Sequence, residues 1–443
     1  MTPNPSLSGR DPLAARVLPG RYYYGWYVTA GVALVMMCGV GIGYYGLAVF
    51  LRPLQEAHGW SNAEVSGATA LYFVVSGIAA AVVGPYIDRR GPMPFLVAGL
   101  VLTALMTTLV GFVEQLWQLY VVYALLATAF GMAGGVSTNA IMTRWFIRRR
   151  ARAMSVSATG VSSAGVILPP LGAWLIGAGG LELATPILGA VILVVGLPVT
   201  LFVLVWDPRQ MRLPPDGPIP AAADRQPDDA FSDAVQLREW TVAQALRTVS
   251  FWALTLAFVL VLLAQTGFLI HQIAFLEERI GSRTAASLAL STAAIGSIVA
   301  RLVVGVFADA VSKRHLTAAL FVIQAIGVLL LVYIDNSITT YVFTLTFGFT
   351  LGNIYMMQSL LVGEIFGLVS FGAVFGLVSF ASQVSSGAGP LLVGLLEQSS
   401  GGYEVPLTVT AGITFVAAFV VLFARPLRPP EGPAYGASPA ATP

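Results

Sequence analysis

Charge is what this chain has least of. Of its 443 residues, 10% are Asp, Glu, Lys or Arg, against about 25% in an ordinary soluble domain. With 57% hydrophobic residues and a mean hydropathy of +0.81, a water-soluble fold would have too few charges to cover its surface. A cytosolic enzyme, a nucleic-acid-binding protein and a secreted module are excluded on that ground. A disordered chain is excluded too, since it needs low hydrophobicity and high charge. Cysteine is nearly absent: Cys38 stands alone, so neither an intrachain disulfide nor a cysteine metal cluster can form. Lysine occurs once, as Lys313, beside 22 arginines, a bias read as the base composition of a bacterial genome rather than as phosphate binding. Residues 1–20 contain no hydrophobic run, so no cleavable signal peptide is expected.

Long apolar runs are what the chain has instead. A spanning helix needs about 20 mostly apolar residues. Twelve such runs are found, near 26–50, 64–86, 93–113, 117–143, 151–177, 185–206, 251–276, 285–309, 315–333, 339–363, 371–396 and 405–424. One long polar break, 207–250, carries Pro208, Pro214, Pro215, Pro218, Pro220 and Pro227 and divides the runs six and six. The expected organisation is a disordered N-terminus (1–21), a six-helix bundle (22–206), a flexible linker (207–250), a second six-helix bundle (251–424) and a disordered C-terminus (425–443). The fold class is thus an all-α membrane protein of twelve transmembrane helices in two bundles.

Orientation follows from the basic residues. With the N-terminus inside, the inner segments hold 19 Arg and Lys and the outer ones 3 (Arg52, Arg279 and Arg283), leaving Arg301 within a run. Both termini and the linker are therefore expected on the cytoplasmic side of a bacterial inner membrane. The halves also echo one another. Gly84-Pro85-Tyr86-Ile87-Asp88 ends the second run, and Gly305-Val306-Phe307-Ala308-Asp309 ends the eighth, 221 residues later. Val161-Ser162-Ser163 recurs as Val384-Ser385-Ser386. Six-plus-six helices with an internal repeat describe many secondary transporters, whose substrate site lies near the bilayer midplane.

Several chemistries fail on motif. The sole lysine follows Ser312, so there is no nucleotide P-loop, and no histidine precedes a glutamate as in zinc proteases. Gly41-Ile42-Gly43-Tyr44-Tyr45-Gly46 fits the dinucleotide fingerprint but sits inside an apolar helix with no strand before it. It reads as a slim helix made for packing, as do Gly131/Gly135, Gly348/Gly352 and Gly372/Gly376. No cofactor, no metal and no enzymatic activity are expected.

Arg301 is the strongest single signal. It lies about halfway along the eighth run, where a charge costs at least about 2.5–3.5 kcal/mol and must face a cavity or a partner. No acid lies at its depth in the sequence: Asp88, Asp309 and Glu364 fall near run ends. An isolated guanidinium in a cavity favours carboxylates, which it binds through two parallel hydrogen bonds. The same absence of central acids argues against a pump for cations.

The sequence resembles the major facilitator superfamily in GPYIDRRGPM from Gly84 and in its weaker copy GVFADAVSKR from Gly305. Within that superfamily it is similar to the monocarboxylate transporters, bacterial members in particular. The likeness rests on Tyr24-Gly25-Trp26, the stretch from Trp145-Phe146 through Arg148-Arg149-Arg150 to Gly160, and Val299-Ala300-Arg301. The resemblance implies transport of short carboxylates such as lactate, with a proton as the usual partner. Animal members carry an aspartate four residues before the arginine; here the position is Ser297, so coupling through it does not carry over.

Other candidates follow from the two readings together. His271 either lines the pocket and carries a proton, as the resemblance implies, or is a satisfied core histidine. Asn139, Tyr355 and Gln383 either bind substrate or join helices. Tyr44 and Tyr45, adjacent and so facing different ways, are candidates to close the outer side of the cavity, with Tyr45 the one chosen, and Phe380 walls off the apolar end of the substrate or simply packs. Asp309 is expected to pair with Arg149 or Arg150 as an inner gate, and Asp88 to meet the positive end of the eleventh helix. The expected function is alternating-access carriage of a small organic anion. Anion exchange, efflux of a non-carboxylate compound and a non-transporting sensor remain as alternatives, and the oligomeric state is open.

Overall fold

In the lipid phase every main-chain polar group must be satisfied within the chain, which leaves helices as the means for apolar runs like these to cross. The computed structural model describes residues 22–217, 240–280, 283–334 and 337–426, with Pro12 and Ala15. Among the described residues there is no strand. Twelve long helical segments succeed one another.

The first, α1 (24–58), has three pieces: Tyr24–Val35, a π-turn at Met36–Gly41, and Ile42–His58. Then come α2 (Asn62–Arg90), α3 (Met93–Val110) and α4 (116–145), which is broken at Gly134 between Leu116–Ala133 and Gly135–Trp145. Helices α5 (150–178) and α6 (181–202) form a hairpin turning on Gly179-Gly180, where Gly180 has φ +71°, a value that favours glycine. The second half holds α7 (Val249–Ile280), α8 (Arg283–Phe307), α9 (Lys313–Tyr333), α10 (Ser337–Phe366), α11 (Phe371–Ser400) and α12 (Glu404–Val421). Among the described residues, ten helical segments are long and apolar enough to cross a bilayer; one of them, 53 residues long, is the α5–α6 hairpin, and α8 adds the apolar Ile295–Phe307.

The helix ends have local causes. Ser61 and Glu64 form a reciprocal cap at the start of α2: the Glu64 N–H donates to Ser61 Oγ at 3.3 Å and the Ser61 N–H to Glu64 Oε2 at 2.8 Å. Tyr23, Tyr24 and Trp26 at the start of α1 pack on Trp145 and Phe146 at the end of α4, with ring centroids 4.9–5.9 Å apart. Two of the segments that carry the family resemblance therefore meet in one aromatic cluster, with a structural role.

The linker was expected to be flexible throughout. Its described ends are instead packed. Asp207 pairs with Arg209 at 2.6 Å and Arg144 at 3.2 Å, and Arg144 lies over the Trp206 ring at 4.5 Å. Tyr23 donates to the Pro214 carbonyl at 2.9 Å. At the far end, Trp240 meets Phe366 edge-on at 6.0 Å. The linker centre and most of the residues expected to form disordered termini lie outside the described residues.

Candidate functional site

The two halves meet along α2–α11 and α5–α8, and small residues let them come close. Gly84 of α2 lies against the main chain of Gly372, and Gly305 of α8 against Ser155. Each glycine stands one turn before an aspartate, and each aspartate bonds the opposite half. Asp88 accepts the N–H groups of Gly372 and Ala373, both at 2.8 Å. Asp309 accepts those of Ala151 and Arg152 at 2.7 and 3.2 Å. The partner expected for Asp309 was an arginine side chain. Its oxygens are taken by the unsatisfied N–H groups that open α5; Arg150 stays within electrostatic reach of Asp309 while its Nε donates to the Phe146 carbonyl at 3.1 Å, and Arg149 is exposed. Just above, Ser155 donates to the Met356 sulfur at 2.9 Å and Ser359 to the Met154 sulfur at 3.5 Å. The end that bears the linker is thereby closed.

Arg301 lies above this closure. It is 7% exposed and stands six residues before the end of α8, nearer the closed end than the expected midpoint. Its Nη1 donates to the Ala158 carbonyl of α5, in the other half. Its Nε is buried without a hydrogen-bond partner among the described residues, and so is Ser297 Oγ, one turn earlier. Tyr45 of α1 and Tyr355 of α10 lie within electrostatic reach of the guanidinium. Four helices from both halves thus converge on one cation.

Tyr45 also lines a cavity of about 550 Å³ on the side of the bundle away from the closed end. Val49, Arg52 and Pro53 of α1 and Pro169, Ala173, Ile176 and Gly177 of α5 line it. Gly165 leaves room for the Tyr45 ring. Arg52 pairs with Glu56 at 2.8 Å, both side chains largely exposed. Pockets of about 300–1,000 Å³ take drug-sized molecules, so this space is large enough for something small.

The remaining candidates are placed elsewhere. His271 faces α11 and the α11–α12 turn: Nε2 lies 3.1 Å from the Pro390 carbonyl and Nδ1 3.4 Å from the Tyr403 hydroxyl. It is not among the groups around Arg301. Gln383 donates to Ser76 of α2 at 3.1 Å, so its amide joins the halves. Phe380 is 37% exposed on the same face of α11 as the exposed Val384, Leu391 and Leu395, and its main chain lies against Gly77 of α2. Asn139 is half-buried on the lower piece of α4, its amide beside Gly135, which faces Phe375. Tyr44, considered beside Tyr45 as an outer closure, has a side chain outside the described residues.

Sequence reasoning missed three participants. The Ala158 carbonyl has no sequence signal, since any residue supplies one. Gly352 was read as packing only. Asp216, in a Pro-Pro-Asp-Gly turn, accepts the N–H groups of Ile147, Arg148 and Arg149 at 3.1, 2.7 and 3.2 Å; its position inside a proline-rich stretch hid it.

The sequence profile of the Major Facilitator Superfamily matches residues 33–281 and 266–442. Monocarboxylate transporter 13 of Bos taurus is 26% identical over 419 residues, 94% of this chain and 92% of its own length. The oxalate:formate antiporter of Oxalobacter formigenes is 27% identical over 135 residues, 30% of this chain and 32% of its own. The solved structure of the human organic anion transporter MFSD10 superposes with a TM-score of 0.70 at 16% identity, over 91% of this chain and 100% of that one, and speaks for the fold alone. The Bos taurus relative, aligned along nearly the whole chain, is mammalian, so the expected place among bacterial members has no support from it. Two pseudo-symmetric helical halves, latched by matching aspartates around a buried cation, agree with the profile that spans them: the chain belongs to the Major Facilitator Superfamily and is an integral membrane transporter, not an enzyme.

Proposed function

We propose that this transporter carries a small monocarboxylate, of the size of lactate or pyruvate, by alternating access. The observation that carries the reading is Arg301, a guanidinium held between the halves with a buried Nε that lacks an acceptor among the described residues. A carboxylate reaching Arg301 past Tyr45 offers that cation a bidentate partner, with Tyr355 as a further donor. Pairing lowers the barrier to rocking the halves, because a neutralised ion crosses low dielectric at less cost than a bare one. The names of two relatives, a monocarboxylate transporter and an oxalate:formate antiporter, agree with that substrate class. The excess of basic residues at the terminal end supports a cytoplasmic location for both termini, and the genome bias supports a bacterial inner membrane. The state described is then closed to the cytoplasm.

Proton symport is the finer reading the resemblance implies. Exchange is favoured by one observation: the groups around Arg301 are tyrosines, which ordinarily titrate near pH 10, with no carboxyl or imidazole beside them among the described residues.

The test is uptake of radiolabelled L-lactate into proteoliposomes, with and without an inward proton gradient and with or without internal carboxylate. Uptake by the wild type and its loss in Arg301→Ala, with normal folding, is the expected result. Stimulation by the gradient selects symport, and stimulation by internal carboxylate selects exchange. Equal uptake by both proteins would overturn the role of Arg301.

A further inference from the structure

Gly348 and Gly352 stand one turn apart on the face of α10 that packs on α8, and they differ in what they make room for. A methyl group at Gly348 would run into the main chain of Ala293, the ordinary reason for glycine between close helices. A methyl group at Gly352 would have as its three nearest neighbours Arg301 Nε, Arg301 Cζ and Ser297 Oγ, the last at 2.5 Å. The volume a side chain would occupy at 352 is filled by a guanidinium. Arg301 is 7% and Ser297 2% exposed, so neither group has water in which to move aside.

We propose that Gly352 is a positioning residue for the anion site, and that its missing side chain is the seat of Arg301. The inference rests on reading Arg301 as the carboxylate ligand. A guanidinium binds a carboxylate through two bonds only when its plane is held, and a misplacement of about 1 Å at such a site can cost about a hundredfold. On one side the plane is tied by Nη1 to Ala158. On the other it rests against α10 where no Cβ stands. A cation this long on a flexible stem would otherwise have many rotamers, and the two contacts restrict them.

The experiment compares wild type, Gly352→Ala and Gly348→Ala in L-lactate uptake. It also follows the 15N resonance of Arg301 Nε, assigned by its loss in Arg301→Lys. Gly352→Ala is expected to raise KM at least about tenfold with the maximal rate per folded protein within about threefold, and to move the Nε resonance. Gly348→Ala is expected to lower the melting temperature and leave both readouts unchanged. In an Arg301→Lys background, where the head group is no longer a planar fork, Gly352→Ala is expected to cost less melting temperature than in the wild type. An unmoved KM and resonance in Gly352→Ala, or additive melting shifts in the double variant, would overturn the proposal. If Gly352→Ala does not fold alone, recovery of folded protein in the Arg301→Lys background supports the seat, and continued failure overturns it. A wild type that takes up no monocarboxylate would overturn the substrate reading, while the Nε resonance still decides the seat.

Discussion

Asp216 and Asp309 divide the start of α5 between them. Asp216 holds the N–H groups of Ile147, Arg148 and Arg149, and Asp309 those of Ala151 and Arg152. Two carboxylates thus meet the positive end of one helix. They differ in what they belong to. Asp216 follows α6 and moves with the half it caps; Asp309 ends α8 and belongs to the other half. Of these two, only the Asp309 bonds must break for the closed end to open.

Asp309→Ala is therefore expected to shift the resting population toward the state open at the terminal end, by about tenfold for the loss of two charge-assisted bonds. Spin labels across that end, in a Cys38→Ser background, read the shift. Asp216→Ala is expected to lower the melting temperature with a much smaller shift. Equal shifts in the two variants would mean that the two carboxylates do not divide the work in this way.

Asp207 is expected to be a stability residue. Burial alone would push its carboxyl up, but the hydrogen bonds and charge of Arg209, with the charge of Arg144, outweigh burial and hold it below the usual carboxylate range. A depressed folded pKa means a stabilisation fully present above the unfolded value of about 4 and lost as pH falls through the lower folded value. Asp207→Asn leaves two arginines facing one another, at a cost of about 3–5 kcal/mol for breaking a buried pair. Its melting temperature should lie below that of the wild type across the neutral range, with the gap narrowing only below about pH 4. A gap that closes near pH 6 would point to a different titrating group.

His271→Gln is expected to change stability rather than transport chemistry. The ring joins α7 to Pro390 and Tyr403, away from Arg301. The prediction is a lower melting temperature with an unchanged pH profile of uptake. A flattened profile would restore His271 as a proton carrier.

Gln383→Leu and Ser76→Ala remove one bond between α2 and α11. Hydrogen bonds between membrane helices average about 0.6 kcal/mol, so KM is expected to stay within about twofold in either variant. A large rise in KM for Gln383→Leu alone would return it to the substrate site.

The architecture was legible because spanning helices announce themselves by composition. The run expected at 64–86 is the core of α2 (Asn62–Arg90), and that at 151–177 is α5 (150–178). Arg301 was legible for the same reason, as a charge in an apolar run. Direction was not legible. A helix apolar all round gives no sign of which face meets lipid, so pocket lining and plain packing stayed open for both Phe380 and His271. Main-chain events left no mark either. Neither the π-turn at Met36–Gly41 nor the break at Gly134 follows from residue type, since glycines sit equally in unbroken stretches.

The aspartate latches take main-chain donors, and this sets where the sequence is free to drift. An N–H group is the same in every residue but proline, so the gate constrains Asp309 itself while leaving the side chains at 151 and 152 unspecified by it. Arg149 and Arg152 point outward and are excused from holding the gate shut. Their charge is available to fix the orientation of the chain during insertion, and the same short stretch can be rewritten for a new membrane without altering how the transporter closes.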